Sequence, residues 1–126
     1  MKLPQWMRRA LLATAAMNLF GAVSFLPAVR TGRELVGMPP THPFYLWLLS
    51  IWVGAFGLVY LWLGLTGRPD RAFLTIGAIG KLSFWALLFA YWLAGDVPPA
   101  APVAALGDLF FGLLFVTWLW RTRAEP

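Results

Sequence analysis

The chain has 126 residues, 60% of them apolar and 17% aromatic, with only 12% charged and a formal net charge of +5. A soluble domain of this size carries about half apolar and about a quarter charged residues, so a soluble enzyme, which needs far more polar surface, is excluded. Cysteine is absent and histidine occurs once, as His42, which excludes disulfide frameworks, thiolate metal centres and bis-histidine haem; no metal or cofactor is expected.

Crossing a bilayer core takes about 20 mostly apolar residues at roughly 1.5 Å rise each. Four stretches meet this requirement: 10–29, 44–65, 72–94 and about 103–120. The expected fold is therefore an all-α membrane protein, four transmembrane helices in an antiparallel up-down bundle forming a single integral membrane domain over residues 1–126. The segments between spans are too short for a folded soluble domain, so function must reside in the helices and their loops.

The first span follows Lys2, Arg8 and Arg9, an arrangement shared with signal peptides. Ala22-Val23-Ser24 is a poor cleavage site and the apolar run continues past it, so the span is expected to be retained. Pro39, Pro40 and Pro43 cannot continue a helix and separate spans one and two. Gly67-Arg68-Pro69-Asp70 is a tight charged turn, predicting a close antiparallel hairpin of spans two and three. Gly95-Asp96-Val97-Pro98-Pro99 ends span three, and Pro102 suits the first turn of span four.

Lysine and arginine near span ends set orientation. With the N-terminus inside, Lys2, Arg8, Arg9, Arg68, Arg71, Arg121 and Arg123 are cytoplasmic, against Arg30 and Arg33 on the other side. Both termini are therefore expected in the cytoplasm. The positive charge reads as a topology signal, and no nucleic-acid partner is expected. Eight arginines to two lysines, with much alanine and glycine, suggest a bacterial source and an inner-membrane location. Trp6, Trp62, Trp118 and Trp120 are expected in the cytoplasmic aromatic belt and Trp47 and Trp92 in the outer one, with Trp52 and Trp85 filling space between helices.

Ionisable groups inside spans cost about 2.5–3.5 kcal/mol each at the centre and are the first place to look for function. Two occur, Lys81 in span three and Asp108 in span four, with Asn18, Ser24, Ser50 and Ser83 as the main neutral polar companions. Helix rise puts Lys81 roughly 13 Å and Asn18 roughly 12 Å from the cytoplasmic ends of their spans, nearly level. Asp108 is roughly 12 Å from Lys81 along the normal if span four begins at Val103, but roughly 6 Å if the helix begins near Pro99. A structural polar cluster is the leading reading. Snorkelling of Lys81 and a substrate or proton site are its competitors. Ala10, Thr14, Asn18, Gly21 and Ala22, with Gly54, Gly57, Gly77, Gly80 and Gly112, map where helices approach closely.

The outer loop, residues 30–43, carries Arg30, Arg33, Glu34 and His42, where local salt bridging or partner docking is expected ahead of acid–base chemistry. Gly77-Ala78-Ile79-Gly80-Lys81 lacks the first glycine and the Ser or Thr of a phosphate-binding loop.

In length and four-span layout the chain resembles small bacterial membrane families such as the DoxX-like proteins and the small multidrug exporters. The exporters depend on a first-span glutamate, where this chain has Asn18, and that departure argues against drug–proton exchange. The function expected is a non-catalytic accessory or structural membrane subunit, in contact with the lipid bilayer and with copies of itself or another membrane protein. The alternatives are a small oligomeric transporter or channel using Lys81, Asp108 and Asn18, and a lipid- or quinone-binding subunit using Phe84, Trp85, Phe89 and Trp92.

Overall fold

The computed structural model describes residues 2–124. It is all-helical, 76% helix, with six helices and no strand among the described residues. In chain order these are α1 (Gln5–Ser24), α2 (Thr31–Leu35), α3 (Pro43–Thr66), α4 (Arg71–Leu93), α5 (Ala100–Ala104) and α6 (Leu106–Arg121). Two of them, α3 and α4, are long and apolar enough to cross a membrane.

Each boundary has a local cause. The first helix starts and stops earlier than hydropathy predicts. It takes in the charged Arg8 and Arg9, and ends at Ser24 because Pro27 removes an N–H and clashes with the preceding turn. For α3, the His42 side chain accepts from the Phe44 N–H at 3.1 Å and Pro43 opens the first turn. Its end is set by Gly67 at φ 69°, a left-handed cap that suits a residue without Cβ. Asp70 caps α4, accepting from the Phe73 N–H at 3.0 Å. The fourth expected span is two pieces, α5 and α6, broken at Ala105.

The four long helices pack as two antiparallel pairs, α1 on α3 and α4 on α6, joined mainly where α1 meets α6. The close hairpin expected of spans two and three is not a tight pair. Phe56, Tyr60 and Phe73 stand between those backbones, with the Phe73 ring 5.0 Å from Phe56 and 5.3 Å from Tyr60. Backbones come close instead at glycines: a Cβ on Gly57 would lie 3.0 Å from Asn18 Cβ, so α3 can approach α1 there only without a side chain. Gly80 has no such role, since nothing lies within 4 Å of where its Cβ would be.

Arginines tie the end that holds the N-terminus of α1. Arg8 donates to the free carbonyls of Gly64 and Leu65 at 3.0 and 2.9 Å, and Arg71 to Leu119 O at 2.9 Å and to Thr122 Oγ1. A cation on these last carbonyls also meets the negative pole of each helix.

Large apolar side chains lie both in the interior and on the surface. Met7, Leu11, Tyr60, Leu63, Leu74, Phe115 and Trp118 form the interior together with Thr14, Ser50 and Lys81, while Phe20, Trp47, Ile51, Trp52, Ile76, Ile79 and Phe110 are exposed. Two tryptophans differ from expectation. Trp118 is buried, beneath the Arg71 guanidinium at 5.3 Å, and Trp52 faces outward instead of filling space between helices.

Candidate functional site

Asn18 lies on the α1 stripe against α3, where the small residues Gly54 and Gly57 let the backbones approach. Its Nδ2 donates to Val53 O at 3.1 Å, and its Oδ1 accepts from Lys81 Nζ at 2.9 Å. Lys81, midway along α4, also donates to Asp108 Oδ1 at 3.2 Å. The helical backbone starts at Ala100, after Pro99, which brings Asp108 deep enough to meet the ammonium. Gly112, one turn further along α6, would drive a Cβ to 2.7 Å from Leu82 and 3.5 Å from Lys81 Cβ, so its lack of a side chain sets the close approach of α4 and α6.

The result is one unbroken hydrogen-bonded chain, Val53 O to Asn18 to Lys81 to Asp108, that touches all four long helices. Lys81 is 5% exposed and does not snorkel. Asp108 is 26% exposed and stands in the first turn of α6, where the helix dipole favours its charge. Two of the three ammonium donors are used by these partners.

One participant, Tyr60, lies outside the residues singled out as candidates. Tyr60 is 1% exposed, with its ring centroid 5.4 Å from Lys81 Nζ and 5.4 Å from the Phe115 ring. It adds a cation–π contact and a wall to the cluster. The one available signal is Gly77, the α4 position that makes room for the Tyr60 hydroxyl. Thr14, one turn from Asn18 on the same face, is fully buried, and its hydroxyl has no hydrogen-bond partner among the described residues.

The outer-loop candidates are spread over local structure. Arg33 holds the carbonyls of Pro27 and Val29 at 3.0 Å, and His42 serves as the cap of α3. Arg30 and Glu34 are exposed at the two ends of the short α2. The aromatic surface on α4 is partly ordered by stacking, Trp85 on Phe89 at 5.0 Å and Phe89 near Trp92 at 5.6 Å. Among the described residues no group of three or more His, Asp or Glu side chains is placed to hold a metal ion. Chemically, the Asn18–Lys81–Asp108 arrangement can clamp helices together, and it can hold a proton or an ion between an amine and a carboxylate.

No family model, curated protein or solved structure matches the chain.

Proposed function

We propose that the chain is a four-span integral membrane protein of a bacterial inner membrane, with α1, α3, α4 and the α5–α6 pair as its spans and both termini cytoplasmic. It acts as a non-catalytic structural or accessory subunit. The observation that carries this reading is the hydrogen-bonded chain through Asn18, Lys81 and Asp108, which spends the strongest polar groups of the interior on joining four helices. In hydrocarbon, where lipid tails are as apolar as side chains, such bonds and close packing replace the hydrophobic effect as the force between helices.

The surroundings agree. Only 28% and 22% of the apolar stretches of α3 and α4 are buried, whereas a soluble core helix hides most of its surface. Lys2, Arg8, Arg9, Arg68, Arg71, Arg121 and Arg123 flank the helix ends that meet where Arg8 bonds Gly64 and Leu65 and Arg71 bonds Leu119, a distribution that supports a cytoplasmic face there. Because the chain has no cysteine, single cysteines report topology cleanly. Thr41→Cys is labelled by a membrane-impermeant maleimide added to spheroplasts, and Arg123→Cys only after permeabilisation. Equal labelling of both in intact spheroplasts overturns the four-span topology.

A second reading is a small oligomeric transporter or channel in which Lys81, Asp108 and Asn18 form the route. The partial exposure of Asp108 favours it, since one end of the polar chain opens to the surface. On that reading Lys81→Met abolishes proton flux into pyranine-loaded proteoliposomes while the protein stays folded. Flux equal to that of empty vesicles before and after the substitution rejects it as a proton path.

A further inference from the structure

A cavity lies at the opposite end of the molecule from the arginine-tied helix ends. It has a volume of about 490 Å³ and is bounded by the outer half of α4, the loop after α2 and the turn after α4. Phe84, Leu87 and Leu88 supply one wall and Met38 and Pro39 the other. The second wall is latched in place: Gly37, at φ 70°, packs so closely on Pro98 that a Cβ would fall 2.5 Å from the proline Cδ. The turn is itself fixed by Gly95 at φ 84° and by the Asp96 N–H donating to Tyr91 O at 2.9 Å.

Among the described residues, Asp96 is the one charged side chain lining this largely apolar cavity, and it is exposed. The volume falls in the range of about 300–1,000 Å³ usual for small-molecule sites, which pair apolar walls with one or two polar groups that select the ligand. We propose that this cavity binds a single-chain amphiphile with an ammonium head group, its chain between the α4 wall and the Met38–Pro39 wall and its cation on the Asp96 carboxylate. Charge complementarity chooses the occupant: a carboxylate against hydrocarbon attracts an ammonium head and repels a sulfate or phosphate head on the same chain. The site rests on the membrane reading above but shares no residue with the Asn18–Lys81–Asp108 chain, so it stands or falls apart from the role assigned to that chain.

The test uses the full chain in phosphatidylcholine nanodiscs and native mass spectrometry, with dodecyltrimethylammonium as the probe and dodecanol and dodecyl sulfate as comparators. One equivalent of the cationic probe is retained, saturably, and dodecyl sulfate is not. Asp96→Asn weakens retention about fivefold, the scale of a partly exposed ion pair. Leu88→Trp fills the cavity and abolishes retention. If that variant loses its helical circular dichroism, Met38→Trp on the opposite wall takes its place. Equal retention of all three amphiphiles, or retention unchanged by Asp96→Asn, shows simple partitioning and overturns the proposal, as does no retention at all.

Discussion

Replacing Lys81 by methionine lowers the stability of the detergent-solubilised protein by about 2–3 kcal/mol. Removing one partner of a fully buried pair costs about 3–5 kcal/mol, because the remaining charge is left without compensation. The value here falls below that range because the orphaned Asp108 is 26% exposed and recovers part of its solvation. Asp108→Asn alone strands the ammonium, which is 5% exposed and has only amide oxygens left as partners, so its cost is at least as large. The double variant, Lys81→Met with Asp108→Asn, carries neither charge and returns to within about 1 kcal/mol of the original, as neutral replacements of buried pairs often do. Thermal melting of the four proteins in dodecylmaltoside measures the cycle. Strictly additive losses would show that the two side chains do not act as a pair in solution.

The same cycle separates the two functional readings. A structural clamp predicts that stability follows the coupling and that flux never enters. A transport site predicts that the double variant, although stable again, still conducts nothing. The clamp reading draws on Asn18 as well, since its amide bonds both Val53 O and Lys81 and ties the α1–α3 pair to the α4–α6 pair.

Part of this site is legible in the amino-acid sequence. Lys81 and Asn18 stand at similar depth by helix rise alone, which permits their contact, and the packing of the two helix pairs makes it. Asp108 was not fixed in that way, because its depth depends on whether the helix begins at Pro99 or at Val103. The answer lies in Pro98 and Pro99, after which the helical backbone starts at Ala100, runs to Ala104 and breaks at Ala105. Hydropathy does not register that break, and so it reads α5 and α6 as one span. The end of α1 is hidden from hydropathy as well: Pro27 stands in an apolar run, so composition outweighs its missing N–H. Small residues such as Gly57 and Gly112 mark where helices approach, but not which helices run as a tight pair. A short loop such as Gly67–Asp70 brings two helix ends together, but the bulk of Phe56, Tyr60 and Phe73 decides how far apart the backbones run.

Tyr60 is the residue whose loss tests that aromatic layer. Tyr60→Ala removes a ring that is 1% exposed and in contact with Phe56, Phe73 and Phe115, at centroid distances of 6.2, 5.3 and 5.4 Å. Truncating a buried aromatic costs about 3–5 kcal/mol. The lower end, about 3 kcal/mol, is expected here, because in a lipid-like medium only the packing part of that cost survives. A more selective experiment uses the hydroxyl. A Cβ on Gly77 would collide with Tyr60 Oη, so Gly77→Ala destabilises by about 1–3 kcal/mol through overpacking. Tyr60→Phe removes the obstructing atom and keeps the ring against Lys81. Combined with Gly77→Ala it therefore restores most of the loss, although neither substitution alone stabilises. Melting temperatures that fall equally for Gly77→Ala with and without Tyr60→Phe would place the α3–α4 contact elsewhere, and with it the wall that holds the Lys81 ammonium against Asn18 and Asp108.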